Sequence, residues 1–287
     1  MSPLLDASAC HNLLRSFLAE DIGAGDITTE TTVSALQRGR GEVIAKSPLV
    51  LAGIELFGEV FHLLDLTTKV EIISHDGEEL TAGKVPARVN ASARALLTGE
   101  RVALNLLQRL SGVATLTRRF VRAIEGTQAE ILDTRKTTPG LRALEKYAVR
   151  VGGGKNHRKD LGEAVLIKEN HIRLAGGVSA ALTAAQAAKD RVAWIEIEVT
   201  NLDELHAALA HNPDVILLDN MSPSLVRESV EAVRKHSAPN KIRTEASGRI
   251  TLENVREFAE AGVDWISVGA LTHSAPAVDL SFEIEPE

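Results

Sequence analysis

Cysteine is almost missing from this chain: one thiol, Cys10, in 287 residues. A single cysteine excludes an intramolecular disulfide and a cysteine metal cluster, and it suits a reducing, cytoplasmic setting. Long hydrophobic runs are missing too. No window approaches the roughly 18 uninterrupted apolar residues of a membrane span, so none is expected. Between Met1 and Glu20 no basic stretch leads into an apolar one, so no secretory signal is expected. The nine histidines are scattered without metal-ligand spacing. No serine-triad pattern is present. Gly152-Gly153-Gly154 is not followed by the Gly-Lys-Ser/Thr that a Walker A phosphate loop requires. Positive charge is also in deficit, with 32 Lys/Arg against 39 Asp/Glu and a net charge of −7. Such a chain is a poor partner for nucleic acid or anionic lipid.

Against that background, one segment is basic. Asp133 to Arg173 holds ten Lys/Arg and five Asp/Glu, a net +5 that leaves −12 for the rest of the chain. A concentrated basic segment in an acidic protein reads as a pocket for a small, highly charged anion. Arg142, Lys146 and Arg150, spaced by four, are explained by a solvated helix face. The tight runs Asp133-Thr134-Arg135-Lys136-Thr137 and Gly152-Gly153-Gly154-Lys155-Asn156-His157-Arg158-Lys159 are not.

The second half alternates short apolar runs with amphipathic stretches. Strands are expected at Ala129–Asp133, Ala164–Ile167, Trp194–Val199, Asp214–Leu218, Ile242–Glu245 and Trp265–Val268, with helices at Leu202–Ala210, Ser224–Lys235 and Leu252–Ala261. Asn201 with Glu204, and Ser222-Pro223, are helix starts; Gly262 is a stop. Repeated strand–helix units imply a parallel sheet, open or closed into a barrel. The strand ends carry the polar residues: Asp133 to Lys136, Lys168 to His171, Glu196 and Glu198, Asp219-Asn220, Glu245 to Gly248, and Gly269 to Leu271. That edge is where barrels and doubly wound sheets build their sites.

The first half reads as a separate α+β unit. Leu13–Ala19 and Ile54–Leu64 are expected to be helical. Gly41–Ala45, Val70–Ile73 and Lys84–Ala91 are expected strands, with a turn at His75-Asp76-Gly77-Glu78. Arg101–Leu110 and Val113–Ile124 form a long helical region with Val102, Leu106, Leu110 and Val113 on one stripe. Val278–Ile284 alternates and is expected to return as a strand to this unit.

Three groups of residues carry chemistry. Arg135, Lys136, His157, Arg158 and Lys168 are candidate anion ligands, the arginines able to grip carboxylate or phosphate through two bonds. Glu198 and Asp219 close successive strands. They either hold Mg²⁺ on a phosphorylated substrate or counterbalance the cations. Ser247-Gly248-Arg249 and Gly269-Ala270-Leu271 are late-strand loops suited to cradling a phosphate. The pocket suits a multiply phosphorylated substrate with Mg²⁺ and a second anionic molecule.

These residues resemble the quinolinate phosphoribosyltransferases, the carboxylating nicotinate-nucleotide pyrophosphorylases. The likeness runs through Glu20-Asp21, Gly25 to Thr29, Asn105 to Gly112, Asp133 to Arg142, Lys146 to Arg150, Gly152 to Arg158, Leu166 to His171, Leu217 to Asn220 and Gly269 to Ser274. The Asp-Thr-Arg-Lys-Thr and Gly-Gly-Gly-x-Asn-His-Arg blocks are its most specific parts. The resemblance implies an N-terminal α+β sandwich domain, 1–112 joined by 275–287, and an incomplete (β/α) TIM-like barrel, 113–274. It implies reaction of quinolinate with phosphoribosyl pyrophosphate to give nicotinate mononucleotide, pyrophosphate and CO₂ in NAD synthesis, with Mg²⁺ and no organic cofactor.

Carried over by position, Thr134, Arg135, Lys136, His157, Arg158 and Lys168 bind quinolinate or phosphoribosyl pyrophosphate. Lys136 or Lys168 meets the 2-carboxylate. Glu198 and Asp219 hold ribose hydroxyls or Mg²⁺. Ser247, Gly248, Gly269 and the neighbouring Arg249, Ala270 and Leu271 surround the 5′-phosphate. The family forms homodimers or larger assemblies, and Arg101, read here at the start of a helix, matches the arginine that enters the neighbour's site. Arg249 departs from the small or neutral residue expected there. Three rivals remain at this point: a Schiff-base barrel enzyme using Lys168, a polyanion-binding protein without catalysis, and a relative that takes nicotinate without decarboxylation.

Overall fold

The computed structural model describes residues 7–236 and 241–287. In chain order the elements begin α1 (Ala7–Ile22), α2 (Ile27–Thr32), β1 (Arg38–Ala45), β2 (Leu49–Val50), α3 (Ile54–Leu64), β3 (Lys69–Ile72), β4 (Glu79–Leu80), β5 (Ala87–Ser92) and α4 (Ala93–Ala123). They continue with β6 (Glu130–Leu132), α5 (Arg142–Val151), β7 (Val165–Ile167), α6 (Glu169–Ala175), α7 (Val178–Ala185), β8 (Ile195–Val199) and α8 (Leu202–Leu209). Last come β9 (Val215–Asp219), α9 (Pro223–Lys235), β10 (Arg243–Ser247), α10 (Val255–Glu260), β11 (Trp265–Ser267), α11 (Ala270–His273) and β12 (Leu280–Pro286). Among the described residues, no helix is long and apolar enough to cross a membrane.

These elements form two compact units. The first comprises Met1–Arg118, Thr138–Gly153 and Ser274–Glu287, the second Arg119–Thr137 and Gly154–His273. The boundary expected at 112/113 therefore falls inside the continuous helix α4. Thr138–Gly153, expected in the barrel, sits in the first unit. Two clamps, one of them fully buried, account for that placement. The fully buried Glu145 accepts from the Arg109 guanidinium at 2.7 Å and from the Thr138 hydroxyl at 2.8 Å. Tyr147 donates its hydroxyl to Asp76 at 2.5 Å, and Asp76 accepts from the Gly53 and Ile54 amides at the start of α3. The helix face of Arg142, Lys146 and Arg150 is accordingly not a fully solvated one: Lys146 is 1% exposed, and the two arginines are half-buried.

In the first unit an antiparallel sheet runs β12-β1-β5-β3. The alternation seen near the C-terminus does return as a strand, pairing β12 with β1 from Gly39↔Pro286 to Ala45↔Leu280. The stripe Val102, Leu106, Leu110 and Val113 is buried, as its helical spacing requires. Arg101 is not at a helix start, because α4 begins at Ala93 and places it in the third turn. The strand expected from Lys84 begins only at Ala87. Pro86 has no N–H for a sheet ladder, and its carbonyl accepts from Ile73 and Ser74 instead.

The second unit carries a six-stranded parallel sheet ordered β6-β11-β10-β9-β8-β7, flanked by helices. β6 and β7 are its two ends, so the barrel is incomplete. The expected helix starts are present: the Asn201 side chain accepts from the Glu204 amide at 2.9 Å, and Ser222 caps α9 ahead of Pro223. Gly262 follows α10 with φ +93°, a conformation a side chain would resist. α10 is shorter than expected, starting at Val255 rather than Leu252.

The first unit's core depends on three rings. Phe57, Phe61 and Phe282 lie 5.3, 5.6 and 5.4 Å apart by centroid. A side chain at Gly41 would place Cβ 2.0 Å from the Phe282 ring. Phe282→Ala is expected to cost about 3–5 kcal/mol, and Gly41→Ala about 1–3 kcal/mol through overpacking. Denaturant titration followed by circular dichroism checks both.

Candidate active site

Because all six barrel strands are parallel, their C-terminal ends share one edge. Along each strand, alternate side chains face the same way. The register sets Glu198, Leu217, Glu245 and Trp265 in one row, with Asp219 and Ser247 in the next row toward the C-terminal edge. Leu166, Leu217, Glu245, Ser247 and Ser267 line a cavity of about 300 Å³, together with Thr134, Arg135, Lys136, His157, Arg158 and Lys168. Seven of the expected ligands, Ser247 among them, therefore meet in one cavity inside the second unit.

Asp133 sets the near wall. It is fully buried at the end of β6, and its carboxylate accepts from the His157 amide at 2.9 Å and the Asn156 side-chain amide at 2.6 Å. Lys155 meanwhile bridges to Leu132, with its amide on the Ile131 carbonyl at 2.8 Å. The glycine-rich loop is thereby pinned beside the Asp-Thr-Arg-Lys turn. In that turn Thr134 Oγ1 accepts from the Lys136 amide at 3.0 Å. Arg158 is 6% exposed and donates to the Ala164 carbonyl at 2.8 Å. Burial, and then the like charge of Arg135, lower its pKa. Two guanidiniums held close in a partly dry cavity favour an anion between them.

Lys168 lies at the opposite strand end, half exposed, with its ammonium 2.9 Å from Glu198. A lysine neutralised by a carboxylate and open to water is poorly set up as a Schiff-base nucleophile. Asp219 has its carboxyl pKa raised, first by burial and then by the charge of Glu198, so these two acids interact. Adjacent carboxylates that repel each other can hold a divalent cation that keeps waters and substrate oxygens as its other ligands.

The late loops are tight. Gly248 has φ +96°, and a Cβ there would lie 2.3 Å from Asn220 Oδ1. Gly269 leaves little more room, with Lys136 Cδ 3.2 Å from such a Cβ. The Thr272 hydroxyl donates to the Lys136 carbonyl at 2.8 Å, tying the two loops together. Arg249 is exposed with φ +50°, a backbone state in which a small residue would be less strained. Ala270 is partly buried. Leu271 offers no ligand group: its side chain is fully buried and its amide bonds the Val268 carbonyl. Arg101 belongs to the first unit, where it is 63% exposed and 3.5 Å from Glu100.

The strand-end acids Glu196 and Glu245 were given no role by the sequence, and they meet at the cavity floor. Glu196 and Glu245 are both buried, at 0% and 1%, and His157 sits between them, 3.0 Å from Glu196 and 3.5 Å from Glu245. The Trp194 indole N–H donates to the same Glu196 oxygen at 3.0 Å. Burial disfavours an imidazolium at His157, yet hydrogen bonds and charge from two ionised glutamates would hold its pKa up to about 10. Glu245 is pushed up in turn, by burial and then by Glu196. The available signal was the alternation in Ile195-Glu196-Ile197-Glu198-Val199, which puts Glu196 on the same face as Glu198.

Comparison with known proteins agrees with this geometry. The model of the quinolinate phosphoribosyl transferase C-terminal domain matches residues 113–283, and that of the N-terminal domain matches 26–111. A probable nicotinate-nucleotide pyrophosphorylase [carboxylating] of Bacillus subtilis is 45% identical, covering 95% of this chain and 92% of that protein. The nicotinate-nucleotide pyrophosphorylase [carboxylating] of Mycobacterium leprae is 43% identical over 96% of this chain and 97% of its own length. Among solved structures, the nicotinate-nucleotide pyrophosphorylase from Francisella tularensis superposes with a TM-score of 0.91 at 39% identity, covering 98% of both chains. With its parallel barrel, its polar rim and matches across both halves, this chain belongs to the quinolinate phosphoribosyl transferase family.

Proposed function

We propose that the chain transfers the phosphoribosyl group of phosphoribosyl pyrophosphate to quinolinate and decarboxylates the product, giving nicotinate mononucleotide, pyrophosphate and CO₂ for NAD synthesis. The observation that carries this reading is the cavity itself. Buried Arg158 beside Arg135 lines it with Lys136 and Lys168, and these lysines bring in the acids: Lys168 pairs with Glu198, and the charges of both bear on Asp219. A dicarboxylate suits the first group and a ribose the second.

The quinolinate nitrogen attacks C1 of the sugar as the bond to pyrophosphate breaks and its electron pair leaves with pyrophosphate. The ring nitrogen is then positive. The adjacent C2–carboxylate bond breaks with its electrons held beside that charge, CO₂ departs, and C2 takes a proton. The ring supplies the electron sink, so the protein's work is to orient the dianion and exclude water. Arg135 and Arg158 grip carboxylate, and Lys136 or Lys168 neutralises the group that leaves. Glu198 and Asp219 would hold Mg²⁺, which supplies positive charge to the pyrophosphate. The working form is a homodimer or larger assembly, with Arg101 completing the neighbour's site, in the cytoplasm.

With quinolinate, phosphoribosyl pyrophosphate and Mg²⁺, nicotinate mononucleotide is expected to form, with nicotinate itself a poor substrate. Absence of product from quinolinate sinks the reading. Lys168→Ala is expected to lower kcat/KM by about 10²-fold or more; normal turnover and quinolinate affinity would remove its assigned role. Arg101→Ala and Lys168→Ala, each inactive alone, are expected to recover about a quarter of wild-type activity when mixed and reassembled, because half the dimers then carry one intact site. No recovery would place Arg101 within its own chain's site or outside the chemistry.

Asp219→Asn separates activity from stability. A carboxyl whose folded pKa is raised binds its proton more tightly in the folded protein. Its contribution to stability is thus lost as pH rises from the unfolded value through the folded one. The amide removes that loss, so Tm at neutral pH is expected to rise while turnover falls. Calorimetry alongside the assay reads both.

A further inference from the structure

We propose that Thr272 is a positioning residue that couples the two ends of the cavity. Its hydroxyl locks the Lys136 turn to the Gly269 loop, so that a dicarboxylate bound at the first favours a phosphorylated sugar bound at the second. This rests on the reading of the cavity as a site for quinolinate and phosphoribosyl pyrophosphate.

The two loops leave neighbouring strands. β6 pairs in parallel with β11 from Glu130↔Trp265 to Leu132↔Ser267, and the Val268 amide extends that ladder to the Leu132 carbonyl at 2.9 Å. Beyond that point both chains turn. The Asp-Thr-Arg-Lys turn meets part of its own backbone demand. The Lys136 amide donates to Thr134 Oγ1 at 3.0 Å, and the Thr137 amide donates to the Arg135 carbonyl at 2.9 Å. The Lys136 carbonyl is met from outside the turn, by the Thr272 hydroxyl at 2.8 Å. The Gly269 carbonyl lies 3.2 Å from the same hydroxyl and accepts from the Thr272 and His273 amides. A hydroxyl has one hydrogen to donate, and the shorter contact takes it. Thr272 is fully buried whereas Lys136 is exposed, so the bond ties a solvent-facing turn to a residue that close packing holds still.

The lysine side chain follows the same loop. A Cβ on Gly269 would lie 3.2 Å from Lys136 Cδ and 3.1 Å from His273 Nε2, closer than ordinary contact. The bare glycine thus lets the lysine stem lie against the loop, and the ammonium beyond it bears on Asp219. A ligand that fixes the Gly269 loop therefore also fixes the Lys136 turn. Such linkage has the same size in both directions.

The test measures that linkage in the intact protein with phthalate. This benzene-1,2-dicarboxylate has the neighbouring carboxylates of quinolinate but no ring nitrogen to attack the sugar. Calorimetry gives its Kd with Mg²⁺, with and without saturating phosphoribosyl pyrophosphate. In the wild type the phosphorylated sugar is expected to tighten phthalate about tenfold or more. Thr272→Val keeps the shape and removes the hydroxyl, and the tightening is expected to fall below about twofold. Thr272→Ser restores the hydroxyl and is expected to bring the tightening back to within about threefold of wild type. Full tightening in Thr272→Val overturns the proposal, as does a wild type with none. Lys136→Ala, at an exposed position, is expected to abolish the tightening as well. If it persists there, Thr272 does not act through Lys136 and the proposal is overturned, whether or not Thr272→Val folds. Protein that turns over quinolinate but shows no linkage sinks this inference alone. Protein that shows linkage but makes no product from quinolinate fails the functional reading alone.

Discussion

Charge removed from water must be matched by specific donors, and in this protein those matches determine where the loops run. Asp133 is wholly buried, and the donors that satisfy it are the backbone of His157 and the side chain of Asn156. Meeting that need brings a loop more than twenty residues away back to the end of β6. Glu145 does the same for the segment between the two cationic loops, through Arg109 and Thr138. Breaking such a match strands a charge and costs about 3–5 kcal/mol, far more than a surface ion pair such as Lys235–Glu231 contributes.

Much of this was legible in the sequence, for a physical reason. The barrel strands announce themselves as short apolar runs because a parallel sheet is buried on both faces, as in β8 and β9. The caps at Asn201 and Ser222 do so because helix ends have unsatisfied amides that few side chains can serve. The gathering of Arg135, Lys136, His157, Arg158 and Lys168 followed from strand ends that share an edge. What could not be read was which buried acid meets which donor. Lys146 has the spacing of a solvated face and is buried, since spacing locates a face without saying what covers it. Arg101 seemed to open a helix because Gly99 precedes it. Gly99 instead lies within α4, where a Cβ would come within 3.0 Å of Leu64 and 3.1 Å of Phe61. Leu271 was read as part of a late loop, yet it lies in α11 with its side chain in the core.

The same geometry organises the chemistry. Cations come from the turn after β6, from the glycine-rich loop that leads into β7 and from the end of β7, and the acids close β8 and β9. The two groups meet where the Lys168 ammonium lies 2.9 Å from Glu198 and the charges of Lys168 and Lys136 bear on Asp219. The tightness at Gly248 against Asn220 supports this arrangement, because the late loop cannot drift outward without breaking a close packed contact.

The aromatic residues, few as they are, happen to be distributed as optical labels. Both tryptophans, Trp194 and Trp265, lie in the barrel unit with ring centroids 6.3 Å apart, and the chain's single tyrosine, Tyr147, lies in the other unit. Indole emission therefore reports on the barrel alone, and the indole N–H bonded to Glu196 couples that emission to the cavity floor. Tyr147 is held against Asp76, with its phenol pKa raised by burial and then by that carboxylate, so its near-ultraviolet signal follows the first unit. Unmodified protein thus carries separate intrinsic probes for its two units, and their unfolding can be followed independently without introducing a label.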